Sequence, residues 1–157
     1  MKEEYVNAFL TPAVHVWEKE LAVKLTLSGA EQAASQYTTT ELTALIGLSG
    51  QLEGNVLYGF SQDCARTVAS KMIGQEIVEM DELSLSAIGE LANMITGNAA
   101  TLLANMGAVC EITPPVIIEP SGSRFTTFGG PQILVKFTSE LGPLHIRISM
   151  TENHRAD

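Results

Sequence analysis

The chain has 157 residues, enough for one domain with a sizeable core, and 45% hydrophobic against 17% charged residues exclude a disordered protein. Eighteen acidic and nine basic residues give a formal net charge of −9. Nucleic acid and anionic membranes are bound through clustered Lys and Arg, so neither is an expected partner. We therefore predict a single domain over residues 1–157.

The cysteines and the apolar stretches indicate a cytoplasmic protein. Cys64 and Cys110 lie far apart and form no C-x-x-C pattern, which is typical of a reducing compartment. The opening MKEEYVNAF lacks the layout of a signal peptide. The most apolar stretch, 81–107, contains Glu90 and several asparagines, which argue against a membrane span.

The N-terminal quarter predicts a helix, a strand and a loop. Apolar residues at helical spacing favour a helix over 3–19, with a kink or a break expected at Pro12. Alternating Leu and Val residues predict a half-buried strand over 21–28. The polar stretch 28–40 contains a glycine and is predicted to be a loop.

The next segments predict a hairpin and a short helix. Residues 41–49 and 54–60 flank a linker bounded by glycines and favour an antiparallel hairpin. Ser61 is the expected N-cap of the helix and Gly74 its end. An acidic connector then leads to Asp81, the expected cap of a long helix.

The C-terminal third is rich in short β segments. AVCEI and VIIEP are separated by Pro114 and Pro115, which cannot lie inside a central strand. A loop is predicted over 121–131, and a second hairpin from 132–139 and 143–150, before a polar tail. Strands thus group with strands and helices with helices. We predict an α+β fold, a two-layer sandwich of helices on a largely antiparallel sheet.

The long helix over 81–107 has an unusual outer face. Its apolar side is predicted to comprise Ile88, Leu91, Ala92, Ile95, Ala99, Leu102 and Leu103. The roughly opposite side carries Ser86, Glu90, Asn93 and Gly97. A solvated face normally carries several charges. Gly89 and Gly97 each cost about 1 kcal/mol relative to Ala, so either the first helix packs closely here or a partner docks here.

The other polar residues do not form a site of their own. His15, His145 and His154 are isolated and lack metal-ligand spacing. No nucleophile elbow or phosphate-binding loop is present. A protein that offers one amide and one carboxylate can still catalyse if its partner supplies the rest. Hydrolysis of an acyl phosphate on another protein fits, because an amide can accept from and donate to a positioned water.

The residues on this helix resemble a known motif. Ser86-x-x-x-Glu90-x-x-Asn93, followed by Pro115, is similar to the motif of the CheC/CheX/FliY family of CheY-P phosphatases. The surrounding IGELANMITGNAATLL and the chain length resemble the CheX-like members, which carry one such site. The resemblance implies a CheC/CheX-like fold and a phosphatase that acts on the aspartyl phosphate of a CheY-like response regulator.

The resemblance also implies a role for each matched residue. Asn93 would orient the attacking water, and Glu90 would pair with a lysine of the regulator. Ser86 and Pro115 would be positional, shaping the helix start and the neighbouring loop. With Glu90 and Gly97, which comes from the helix pattern and not from the motif, they form the predicted partner-binding set. Mg²⁺ would belong to the regulator, so this chain is expected to have no metal or cofactor of its own. A homodimer joined through sheet edges is also implied, with the second hairpin as the candidate.

Two further interpretations stay open. One is a non-catalytic response-regulator-binding or scaffold module of the same fold, although an intact Asn93 favours catalysis. The other concerns Glu4 and Asn7, which repeat the Glu-x-x-Asn spacing but lack the upstream Ser or Asp. They are interpreted as ordinary acidity at a helix start.

Overall fold

A layer of three helices covers one face of a large β-sheet in the part of the chain that the structure describes. The computed structural model describes residues 2–127 and 132–153. The helices are α1 (Glu3–Leu21), α2 (Gln62–Ile73) and α3 (Glu82–Asn105). The strands are β1 (Thr26–Ala33), β2 (Gln36–Thr38), β3 (Leu42–Gly50), β4 (Leu52–Phe60), β5 (Cys110–Ile112), β6 (Val116–Ile118), β7 (Arg124–Thr126), β8 (Gln132–Thr138) and β9 (Leu144–Glu152).

The large sheet has the order β1-β8-β9-β4-β3-β5, and β6 also pairs with β3. All of these pairings are antiparallel. Strands β5 and β6 lie end to end along β3 because Pro114 and Pro115 lack the N–H groups that a continuous strand would need. The predicted α+β class with a largely antiparallel sheet is confirmed.

The core lies between the helices and the sheet. Apolar residues alternate along β3, β4, β8 and β9, and one face of each strand points at the helices. The indole of Trp17 on α1 stacks on Phe60 of β4 with ring centroids 6.4 Å apart. The opposite face of the sheet meets the small β2–β7 sheet, where the Tyr37 ring lies 4.3 Å from the Arg147 guanidinium.

The predicted strand over 21–28 is largely wrong, and so is the predicted loop over 28–40. Helix α1 continues to Leu21, and Ala22 ends it in the left-handed conformation with φ 57°. Strand β1 begins only at Thr26 and almost all of its residues are exposed. Val23 and Leu25 alternate because both are buried in the connection after the helix. The apolar residues alternate there because their side chains are buried, although the segment is not a strand.

Pro12 does not break α1. The helix runs through it without interruption, although Pro12 has no N–H to donate to the carbonyl of Ala8. Phe9 and Ala13 beside it are fully buried, and Pro12 itself is buried. Packing of this face against the core holds the helix together, so of the two expected outcomes, a kink or a break, the break is wrong.

Both predicted hairpins are confirmed, but the second does not lie at a sheet edge. Strand β8 pairs with β1 on one side and β9 on the other, and β9 pairs with β4. Within the described residues the edges of the large sheet are β1 and the β5–β6 line. The prediction of the second hairpin as a dimer edge is therefore wrong. The predicted loop contains β7, and its residues 128–131 lie outside the described residues, as do His154 and the rest of the tail from 154.

The start of α3 is fixed by a capping box. The Asp81 carboxylate accepts from the Ser84 backbone N–H at 2.9 Å, and the Ser84 hydroxyl accepts from the Asp81 backbone N–H at 2.6 Å. The expected cap at Asp81 is confirmed. The shorter helix α2 likewise has the predicted Ser61 N-cap and Gly74 C-cap.

Replacing Asp81 with alanine should lower the melting temperature near neutral pH. The Ser84 backbone N–H, and then its hydroxyl, lower the pKa of Asp81 below its ordinary 3.8. A lowered folded-state pKa stabilises the fold above the unfolded-state pKa, and this contribution is lost as the pH falls through the folded-state pKa. The difference in melting temperature between parent and variant should therefore shrink as the pH is lowered into the acid range. Glu79→Ala, an exposed change nearby, should produce no such gap, and an equal gap at every pH would contradict the capping role.

Candidate functional site

Helix α3 has one buried face and one open face, as the sequence predicts. The residues packed on the sheet are completely buried and include Ile88, Leu91, Ala92, Ile95, Ala99 and Leu103. On the other side Ser86 and Glu90 are exposed, and Asn93 and Gly97 are half-buried. We call these four residues the α3 stripe. Because consecutive members are three or four residues apart, they lie in one row about 16 Å long.

Pro115 lies beside this stripe and contacts α3 at Gly89. A Cβ added to Gly89 would lie 3.3 Å from Pro115 Cγ and 3.5 Å from Ile117 Cδ1. The glycine therefore lets the edge of the sheet approach the helix turn that carries Glu90. Of the two explanations for this glycine, close packing is confirmed, but the packing partner is the β6 edge and not the first helix.

Gly97 has a different environment. Apart from its chain neighbours and the backbone of its own helix, no atom lies within 4 Å of the position that a Cβ on this residue would take. The glycine borders a groove of about 620 Å³ between α1 and α3, with Thr11, His15 and Lys19 on the α1 side. His15 is exposed there, whereas Trp17 is fully buried. Packing within the described chain gives no reason for a glycine at this position.

A buried hydrogen bond joins α3 to strand β4 of the sheet. The Tyr58 hydroxyl on β4 lies 2.7 Å from Thr96 Oγ1, and the Thr96 hydroxyl donates to the Ala92 carbonyl at 2.8 Å. Both side chains are completely buried, and burial raises the pKa of Tyr58 above its ordinary value. Thr96 lies three residues after Asn93, so this bond restrains rotation of the helix about its axis. In the sequence its only signal is a lone hydroxyl on the apolar face of the helix.

Removing the Tyr58 hydroxyl should destabilise the protein by about 1 kcal/mol, since a buried hydrogen bond is lost and Thr96 Oγ1 loses its donor. Urea unfolding of Tyr58→Phe measures this change. Tyr5→Phe is the matched control, because its hydroxyl makes a longer, 3.3 Å bond to Glu152 nearer the surface. A Tyr58→Phe protein as stable as the parent would contradict the restraint on α3.

The Glu4–Asn7 pair does not join the α3 stripe. Both residues lie near the start of α1, where Glu4 and Asn7 are exposed. Asn7 borders a separate cavity of about 350 Å³, whose other walls come from β1 and β8. The structure thus gives no support for a second copy of the site.

The remaining reactive side chains form no competing centre. Within residues 2–127 and 132–153, no group of three or more His, Cys, Asp or Glu side chains could hold a metal ion. Burial, with a smaller contribution from Glu41, raises the pKa of Cys64 to about 12, so its thiol is protonated at neutral pH. Among the described helices, none has both the length and the apolarity that a membrane span requires.

The overall fold is similar to that of solved structures of the CheC/CheX/FliY class. The crystal structure of a chemotaxis protein CheX from Desulfovibrio desulfuricans is similar with a TM-score of 0.85 at 22% identity, covering 94% of this chain and 99% of that one. The CheX–CheY–BeF3–Mg complex from Borrelia burgdorferi is similar with a TM-score of 0.81 at 24% identity, covering 94% and 98%. Both likenesses show the fold.

Sequence comparison is more specific. The family described as chemotaxis phosphatase CheX matches residues 42–138. The CheY-P phosphatase CheX of Thermotoga maritima is 37% identical over 113 residues, which cover 68% of this chain and 71% of the relative. The chain belongs to the CheX family of chemotaxis phosphatases.

Proposed function

We propose that this protein is a phosphatase that hydrolyses the aspartyl phosphate of a CheY-like response regulator. The observation that carries the proposal is the open face of α3, where Glu90 and Asn93 stand on a surface otherwise almost free of charge. Family membership and the name of the Thermotoga relative support the same reaction. In the Borrelia complex, a protein of this fold is bound to CheY.

Asn93 is the residue that acts on the water. In this proposal the α3 stripe docks over the phosphorylated aspartate of the regulator, and the Asn93 amide enters its active site. The amide oxygen accepts a hydrogen bond from the water, which fixes the water opposite the leaving carboxylate oxygen. The water oxygen attacks phosphorus, the bond from phosphorus to the aspartyl oxygen breaks, and inorganic phosphate leaves. Positioning of this kind can contribute several kcal/mol.

The phosphatase supplies little else because the regulator holds the charges. Mg²⁺ in the regulator would neutralise the phosphoryl oxygens, as is general in phosphoryl transfer. We propose no metal or cofactor for this chain. A single amide on a rigid helix is then a sufficient catalytic contribution, and the Tyr58–Thr96 bond beneath the stripe supports that rigidity.

Glu90 is the anchor of the complex. Its exposed carboxylate lies one helical turn before Asn93 and can pair with a lysine on the regulator. Ser86 extends the surface towards the start of the helix, and Pro115 supports the turn that carries Glu90 through its contact at Gly89. Gly97 continues the surface at the other end.

A homodimer is a further part of the proposal, and it would use β1 instead of the second hairpin. Strand β1 pairs only with β8 within the described residues, so its other side offers backbone donors and acceptors to a second copy. This edge belongs to the sheet, so pairing there would leave the α3 stripe accessible. Sedimentation equilibrium should give twice the mass of the chain, and the mass of one chain would contradict the dimer.

We place this function in the cytoplasm, where response regulators receive their phosphoryl groups. Both cysteines are free, which suits a reducing compartment.

Phosphate release tests the proposed activity. A CheY-like receiver domain of the same organism is phosphorylated with acetyl phosphate and Mg²⁺, and inorganic phosphate is followed with and without this protein in substoichiometric amounts. We expect faster release, with each molecule of this protein acting on many regulators. Binding to the receiver without any acceleration would instead identify a non-catalytic regulator-binding module.

A further inference from the structure

We propose that the groove between α1 and α3 receives a segment of the same response regulator and that Gly97 keeps this groove open. The inference rests on the proposed function, because the occupant is the receiver domain whose phosphoryl group lies at Asn93. It adds a second contact region, contributed by α1, which selects among regulators. Helix α1 carries no part of the Ser86–Glu90–Asn93 motif.

The first observation is the contrast between the two glycines of α3. At Gly89 a Cβ would meet Pro115 Cγ at 3.3 Å, so packing within the chain accounts for the glycine. At Gly97 a Cβ would meet nothing within 4 Å, and the backbone is helical. An alanine there would fit and would favour the helix. A side chain at position 97 would therefore project into the groove and obstruct it.

The second observation is the continuity of the groove with the α3 stripe. Gly97 belongs to both, one helical turn beyond Asn93, and Met94 lines the groove directly after Asn93. A receiver domain seated with its acyl phosphate on Asn93 would cover the mouth of the groove. A segment next to its phosphorylation site would then enter between the helices.

The third observation is the chemistry of the α1 wall. Thr11, His15 and Lys19 line the groove at intervals of four residues, so they form one exposed row along the helix. Lys19 makes no ion pair with the described residues. Mg²⁺ is held in proteins mainly by carboxylates and phosphate oxygens, so the surface around a phosphorylated aspartate is acidic. Lys19 can face that surface, and Glu20 at the same end offsets part of its charge.

The occupant is therefore a loop of the receiver domain, with polar or acidic side chains that reach between α1 and α3. A groove of about 620 Å³ can hold a few side chains. Contacts there would differ between regulators even where the phosphorylation site is the same. Asn93 and Glu90 would supply the common chemistry, and the groove would supply the choice of partner.

Affinity for an activated receiver tests the groove. Titration calorimetry would measure binding of a CheY-like receiver domain of the same organism, loaded with beryllofluoride and Mg²⁺, to the parent and to Gly97→Leu and Gly97→Ala. We expect Gly97→Leu to raise the Kd about tenfold or more, as loss of a strong interface contact does. Gly97→Ala should raise the Kd less while raising the melting temperature. Lys19→Ala should raise the Kd and weaken its dependence on salt.

Matched controls separate the groove from the rest of the surface. Ala34→Leu adds bulk at an exposed position outside α3 and the groove, and Lys24→Ala removes an exposed lysine outside the groove. Both should bind as the parent does. Gly97→Ala remains informative if Gly97→Leu fails to fold, because an alanine there meets no atom within 4 Å.

The outcomes also separate the groove from the phosphatase activity. If Gly97→Leu and Gly97→Ala bind as tightly as a parent that accelerates phosphate release, the groove proposal falls and the phosphatase stands. If both variants bind more weakly but the parent releases no phosphate, the groove stands and the phosphatase falls. A parent that binds no activated receiver of its organism overturns both.

Discussion

Replacing Asn93 with alanine is expected to abolish the acceleration of phosphate release while leaving the protein folded and able to bind its regulator. The side chain is polar and half-buried on the open face of α3, so its loss removes little apolar packing. Under the proposed mechanism, the attacking water loses the amide that orients it. Because misplacement of a reacting group by about 1 Å costs on the order of 100-fold, we expect at least about that loss in turnover.

The measurement is phosphate release at saturating phosphorylated receiver, together with binding of the beryllofluoride-activated receiver. Asn105→Ala is the matched control, since it makes the same change at the exposed end of α3. The control should retain full turnover. An Asn93→Ala protein that turns over like the parent would remove Asn93 from the reaction, whatever its affinity.

Replacing Glu90 with alanine is expected to act mainly on docking. Its carboxylate is exposed and makes no ion pair with the described residues, so the folded protein loses none. In the proposed complex this carboxylate pairs with a lysine of the regulator. The half-saturation concentration for phosphorylated receiver should rise about tenfold or more, because loss of one partner from a close charge pair across an interface costs about 2 kcal/mol or more. Turnover at saturation should change much less. Glu90→Lys should weaken docking further, because it places a positive charge opposite the lysine of the regulator.

Salt dependence distinguishes an ion pair from a steric effect. Raising the ionic strength should weaken receiver binding by the parent more than receiver binding by Glu90→Ala, because only the parent can form the ion pair that salt screens. Glu82→Ala removes another exposed carboxylate of α3, in its first turn, and should behave as the parent. Parent-like half-saturation in Glu90→Ala would remove Glu90 from the interface.

The parts of the fold that local patterns define were predictable from the sequence. Helix α3 has a long apolar periodicity, and Asp81 supplies its cap. The β3–β4 hairpin has alternating apolar residues on both sides of a glycine-bounded turn. In these elements the local preference and the tertiary environment favour the same structure, so the sequence signal is strong.

The edge strand β1 could not be predicted in the same way. Its sequence, TLSGAEQA, is polar and nearly all exposed, so it carries no alternation. It is a strand because β8, which is distant along the chain, pairs with it, with an irregularity between Leu27 and Gly29. That pairing also places the second hairpin inside the sheet, which overturns the predicted dimer edge.

The candidate site shows the same distinction between features set by local sequence and features set by distant contacts. The open stripe was visible because charges are missing where a solvated helix would carry them, and Glu90 and Asn93 were then the remaining polar groups. The contacts of the stripe were not visible. The β6 edge at Gly89, the Tyr58–Thr96 bond and the α1 wall of the groove all join residues distant in sequence. Hence the sequence left the cause of the two glycines open, and the structure gives them different surroundings.

The proposed role of Asn93 can be seen directly in a crystal structure of this protein bound to its CheY-like receiver, with beryllofluoride and Mg²⁺ in place of the phosphoryl group. The measurement is the separation of the Asn93 amide from the point opposite the leaving aspartyl oxygen, where a water would attack. We expect the amide to lie about 3 Å from a water at that point, with the Glu90 carboxylate paired to a lysine of the receiver. A complex in which α3 lies away from the beryllofluoride, or in which Asn93 points into solvent, would contradict the proposed mechanism.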